Sequence, residues 1–145
     1  MNAGVKGASR GIATVEFALV SPLLLLLLAG VLDFSMLLRT ATCAAEAARA
    51  GTEYGSKSAT AAADTAGMQA AALDAVPGVA GMTATATRSC KCSDGSAVSC
   101  GSNCASGKMM VYVQVTAQVA AHTVFDYSAL NFSNAVRATA SMRAQ

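Results

Sequence analysis

Residues 12–32 read IATVEFALVSPLLLLLLAGVL, twenty-one residues with a single charge, Glu16. At about 1.5 Å rise per helical residue the run spans roughly 31 Å, close to the hydrocarbon thickness of a bilayer. Six consecutive leucines, Leu23 to Leu28, would cover the whole circumference of a helix, which only lipid or helix partners on all sides accept. The stretch reads as a membrane helix. Lys6 and Arg10 precede it without an acid, whereas the 113 residues after Leu32 are charge-balanced. Positive charge held inside predicts a cytoplasmic amino terminus and an extracytoplasmic remainder. A cleavable signal peptide is the rival, but its apolar region is usually about 7–15 residues and no convincing A-x-A site follows here.

A carboxylate just inside an apolar segment is costly and normally has a partner or a function. Glu16 follows Gly11 by five residues, in the order Arg10-Gly11-Ile12-Ala13-Thr14-Val15-Glu16-Phe17. That is the layout of a prepilin processing site: a short basic leader ending in Gly, a cut, then an apolar helix with Glu at its fifth position. Cutting after Gly11 would create an ammonium at Ile12, one helical turn from Glu16. Such a pair, within one subunit or between neighbours, would neutralise both groups in low dielectric. The bland alternative is an acid tolerated near the membrane surface.

Here the chain resembles a family. Gly11, Val15-Glu16-Phe17-Ala18-Leu19, Pro22 ahead of the leucine run and Glu46-Ala47-Ala48-Arg49-Ala50-Gly51 together look like the TadE-like proteins of tight-adherence (Flp-type) pilus systems. The motif covers residues 10–51, about a third of the chain. The resemblance implies a membrane-anchored minor pseudopilin of pilin-like fold that helps assemble or initiate a pilus. It also implies a prepilin-type peptidase acting between Gly11 and Ile12, and Glu16 and Phe17 at the assembly contact. The partners would be the membrane and other pilus or pseudopilin subunits, reached through the amino-terminal helix. The expected location is the bacterial inner membrane, single-pass, with incorporation in a pilus as a further option. The competing reading is a single-span extracytoplasmic binding domain unrelated to pili.

Charge and composition agree with an anchored protein. Without Lys6 and Arg10, eight basic residues face eight acids. No basic patch is expected, and there is no Trp and only seven aromatics, which argues against nucleic-acid binding. The order of segments expected is a leader at 1–11, a membrane helix at 12–32, a stalk helix at 33–57 and one small α+β domain at 58–145.

The helix should continue past the membrane, from about residue 12 to 52, on the order of 60 Å. Residues 33–50 lack Pro and Gly, and Phe34, Leu37, Leu38, Ala41, Ala45 and Ala48 recur at spacings of three and four. Glu46, Arg49 and Glu53 are placed for weak pairing on the other face. Gly51 and Gly55 bracket the expected end. A second, alanine-rich helix is expected over 58–76, closed by Pro77-Gly78. From Met82 the period becomes two: runs at 82–87, 109–119 and 136–143 predict a three-stranded antiparallel meander packed on the stalk. The last strand, polar and basic on its outer side, suits an edge.

Cys90, Cys92, Cys100 and Cys104 crowd a Gly/Ser-rich loop. Outside the cytoplasm such a cluster more often makes two disulfides than a zinc site, and C-x-C and C-x3-C are imperfect ligand pairs. A closing hairpin favours the nested pairs Cys90–Cys104 and Cys92–Cys100. Cys43 is left over, as a small core residue or an intermolecular bridge. His122 stands near Asp126 and Ser128 in sequence without making a triad. The connection at 124–132 reads as a loop over a thin core or a partner-binding tip. No enzyme, metal, cofactor or small-molecule substrate is expected.

Overall fold

The computed structural model describes residues 8–105, 107–121, 123 and 135–144. Helix α1 (Ala8–Ser56) holds 49 residues, about 74 Å at 1.5 Å per residue. It outruns the expected stretch at both ends. Gly51 and Gly55 lie inside it, so their reading as the end of the helix is corrected. A Cβ on Gly51 would stand 2.8 Å from the Met68 carbonyl oxygen and 3.0 Å from Val115 Cγ1, and one on Gly55 would run into Met68 Sδ. Both glycines serve close approach of other elements to the helix. Pro22 is also internal, and its missing N–H leaves the carbonyl of Ala18 without the usual helical donor.

The single helix expected at 58–76 is two, α2 (Ala59–Ala63) and α3 (Thr65–Asp74). Asp64 makes the break, with φ −87° and ψ 79°. Its Oδ1 accepts from the Gly67 N–H at 2.8 Å, and its Oδ2 accepts from the Tyr54 hydroxyl at 2.9 Å. A side chain that caps a new helix outweighs the helix propensity of the surrounding alanines. Ser58 does the same for α2, accepting from the Ala61 N–H at 3.1 Å.

Four strands follow, all antiparallel: β1 (Thr83–Cys92), β2 (Ala97–Val98), β3 (Met109–Ala120) and β4 (Ala135–Arg143), in the order β2-β1-β3-β4. The long three form the expected meander, with β4 at the edge. The expectation of three strands is corrected to four. β2 pairs Cys90 with Val98 and Lys91 with Ala97, and two residues are too few to show a period. Its turn is held by the Cys92 N–H on the Ser96 carbonyl at 2.9 Å and by Asp94 Oδ1 accepting from the Ser96 N–H at 2.9 Å.

Helices α1 and α3 cover one face of the sheet. Ala44, Ala47 and Ala48 of α1 and Met68 and Ala72 of α3 meet Val113, Val115, Ala117 and Val119 of β3, all buried. The stripe expected on α1 therefore starts too early. Phe34, Leu37 and Leu38 are exposed, and burial of apolar side chains begins at Ala44. Thr52 is also buried, its hydroxyl donating to the Ala48 and Arg49 carbonyls at 3.1 and 2.9 Å. Among the described residues Glu46, Arg49 and Glu53 form no ion pair. The small side chains of α1 give little apolar area per residue. They do let helix and sheet close tightly, and Met68 is the largest side chain sealed between them.

Candidate membrane and assembly segment

Two halves of α1 have opposite surroundings. From Ala44 to Gly55 one face is packed against the domain. From Val15 to Leu38 the large apolar side chains are exposed, Phe17 by 70%, Leu19 by 75% and Leu26 by 70%. A soluble protein would cover such a surface, because each large apolar side chain left in water forgoes about 1.5–3 kcal/mol of burial. The stretch of highest hydropathy, averaging 2.4, contains no buried residue. That excludes the reading of this run as a core helix. The chain carries one helix long and apolar enough to cross a membrane among the described residues.

Glu16 is exposed on this half, on the same helix and one turn from Ile12. The backbone around Gly11 and Ile12 is helical, but the side chain of Ile12 lies outside the described residues, as do residues 1–7. The chemistry available at Glu16 is therefore that of a carboxylate on an apolar helix surface, four residues from a bond whose hydrolysis would free an amine.

Asp33 is the residue that the sequence reading passed over. It closes the apolar run and is only 5% exposed, between the bare membrane half and the packed stalk half. The signal was present, since Asp33 is the only acid between Glu16 and Glu46. Just after it, hydroxyls turn back onto the helix: Ser35 donates to the Leu32 carbonyl at 2.7 Å and Thr40 to the Met36 carbonyl at 2.9 Å. An open groove of about 380 Å³ sits at this level, where Met36, Arg39 and Thr40 face Val79 and Val119.

At the other end of the domain the four loop cysteines form two disulfides, but the nested pairing is corrected. The bonds are Cys90–Cys100 and Cys92–Cys104, with Cα separations of 5.2 and 5.8 Å. The register explains it. Cys90 and Cys92 share one face of β1, and β2 runs back past Cys90 through Val98, which delivers Cys100 to Cys90. Cys92 pairs with Met109 at the start of β3, and Cys104 lies on the return into that strand. With the sulfurs bonded to each other, no thiolate set for zinc is left in the loop. Cys43 is free and half-buried, packed against the core.

Among the described residues no group of three or more His, Cys, Asp or Glu side chains converges on a point. His122, Asp126, Ser128 and the connection at 124–132 lie outside the described residues. Among the described residues two carboxyls are perturbed, both on the surface. The Gly67 N–H, and then the Tyr54 hydroxyl, hold Asp64 below the usual carboxylate range, while the same bond to Asp64 pushes the Tyr54 phenol up. The Ser96 hydroxyl and N–H hold Asp94 low. These are local caps and turns.

Compared with known proteins, residues 11–53 match the family model described as TadE-like protein. The matched stretch begins at the expected cut and ends within the packed part of α1. The TadE-like resemblance of this segment thus stands. No curated protein and no solved structure matches the chain.

Proposed function

With a TadE-like segment at residues 11–53 as the premise, we propose that the chain is a membrane-anchored minor pseudopilin of a tight-adherence pilus system. In this reading residues 12–32 cross the bacterial inner membrane with the amino terminus in the cytoplasm, and the α+β domain stands outside. A prepilin-type peptidase cuts between Gly11 and Ile12. The new ammonium at Ile12 pairs with Glu16 of a neighbouring subunit, Phe17 lies in the same contact, and the helices pack side by side. The protein assembles by surfaces and performs no catalysis.

One observation carries this reading. The family match falls on a helix whose first half presents large apolar side chains with no covering element, while its second half is locked into a domain. A secretory signal peptide would be lost after export and would not continue unbroken into the core of the mature fold. The disulfides fit an oxidising compartment.

Intact mass and amino-terminal sequencing of the membrane-extracted protein test the proposal. The expected chain begins at Ile12 in cells with an active peptidase, and Gly11→Leu blocks the cut because a side chain obstructs close approach to the scissile bond. A mature chain that still begins at Met1 or Asn2 would overturn the processing. A binding domain on a plain single-span anchor would need neither the cut nor Glu16.

A further inference from the structure

The face of the sheet turned away from α1 and α3 has a charge pattern that the rest of the chain does not share. Strands β1, β3 and β4 contain no Asp or Glu. Alternation and register put Lys91, Arg137 and Arg143 on the outward side, all exposed. Among the described residues none of the three is in an ion pair. The other seven basic residues share the remainder of the chain with all eight acids. The chain's net charge of +2 is therefore an excess on this face set against a deficit elsewhere.

Between the cations the surface is flat and hydrogen-bonding. Successive rows across β1, β3 and β4 read Thr83–Gln118–Arg137, Thr85–Thr116–Thr139, Thr87–Gln114–Ser141 and Ser89–Tyr112–Arg143. The rows repeat about every 6.8 Å, with strands about 4.8 Å apart. Neighbouring side chains hold each other in place. Arg137 Nη2 donates to Gln118 Oε1 at 2.7 Å, the Thr116 and Thr139 hydroxyls are 3.0 Å apart, and the Lys91 ammonium lies 6.0 Å from the centre of the Tyr112 ring. The two disulfides brace the Lys91 end.

We propose that this face binds a linear acidic polysaccharide, laid along β4 from Arg137 to Arg143 and over to Lys91 on β1. The chemistry decides for a polyanion: cations without an ion pair among the described residues raise the local concentration of negative charge, and Arg donates to a carboxylate in bidentate fashion. It decides for a sugar over a protein, because a protein partner needs a central apolar anchor and, among the described residues, the large apolar side chains of this face are Tyr112 and Met110. Rows of hydroxyls and amides match the many hydroxyls of a glycan chain, and the Tyr112 ring can take the C–H face of one sugar. The inference goes beyond the assembly role and uses none of the α1 surface invoked there.

The test uses the full chain in nanodiscs of uncharged lipid, with oligogalacturonate as probe, dextran as the neutral control and phosphatidylglycerol vesicles as the anionic lipid control. Oligogalacturonate is expected to bind, and binding should weaken roughly ten- to a hundredfold from 50 to 500 mM NaCl, as counterion release at up to three contacts requires. Lys91→Gln with Arg137→Gln and Arg143→Gln should weaken it at least tenfold with an unchanged melting temperature. Arg39→Gln with Arg49→Gln and Lys57→Gln should leave it intact. Single Lys91→Gln, with a several-fold loss, serves if the triple variant does not fold. The proposal is overturned by absent binding, by equal and salt-insensitive binding of dextran, by equal loss in both triple variants, or by a preference for the vesicles.

Discussion

Gly51 should tolerate alanine worse than Gly55 does, although both are buried glycines on the same helix face. In an open helix either change would stabilise the protein by about 1 kcal/mol, the difference in helix propensity. Gly30 is such an open position, with nothing within 4 Å of an added Cβ. At Gly51 the new methyl would meet the Met68 backbone oxygen at 2.8 Å and both Val115 methyls at 3.0 and 3.1 Å. The oxygen belongs to α3 and cannot rotate away, so α3 must shift as a body. Overpacking of this kind costs about 1–3 kcal/mol. Against the propensity gain, Gly51→Ala should still destabilise by up to about 2 kcal/mol. At Gly55 the contacts are Met68 Sδ, Met68 Cγ at 3.1 Å and Val113 Cγ1 at 3.2 Å, so the strain falls on side chains and no backbone element has to shift as a body. Gly55→Ala should therefore also destabilise, but by less than Gly51→Ala does. Urea unfolding of the detergent-solubilised chain, followed by circular dichroism, measures both. If Gly51→Ala raised the midpoint as an open helical glycine would, the close approach of α1 to α3 and β3 would be refuted.

Other expectations follow from the same packing. Met68→Ala should cost about 2–5 kcal/mol, because Met68 is fully buried between α1, α3 and β3 and the cavity would be walled by atoms that cannot collapse onto it; urea midpoints check this. Asp64→Ala should lower the melting temperature through the lost cap. Because the folded carboxyl is held low, its contribution is present above the ordinary Asp range and fades as pH falls through the lowered value, so the wild-type advantage in melting temperature should shrink in acid. Non-reducing peptide mapping should recover Cys90 with Cys100 and Cys92 with Cys104. Removing either bridge, which closes 10 or 12 residues, should lower stability by somewhat under about 3 kcal/mol.

Much of this fold is visible in the residues because its strongest signals are local. The leucine run, the change of period at Met82 and the alternation in β3 each report a neighbourhood that a few residues define. What escaped depends on partners distant in sequence. Gly51 and Gly55 look like helix stops until Met68 and Val115 are seen against them. The break at Asp64 needs Tyr54 from the preceding helix. The disulfide pairing depends on where the short β2 delivers Cys100, and a nested pairing is the natural guess only without that strand. Nothing in the local sequence around Asp33 shows its burial, which only the folded chain reveals. The candidate segment itself was legible throughout, since exposed leucines and Glu16 need no tertiary context to be noticed.

The most direct test of the account concerns Glu16. A photo-crosslinker at Leu19, an exposed position on the membrane half of α1, would report neighbouring subunits in native membranes. Glu16→Gln keeps size and hydrogen bonding but removes the charge that would meet the ammonium at Ile12 of the next subunit. Glu16 lies far along α1 from the packed domain, so protein level and domain melting should be unchanged while crosslinks to pilus-system subunits fall sharply. Crosslinking of Glu16→Gln at wild-type efficiency, in a chain already shown to begin at Ile12, would contradict assembly through a charge pair at the head of the helix.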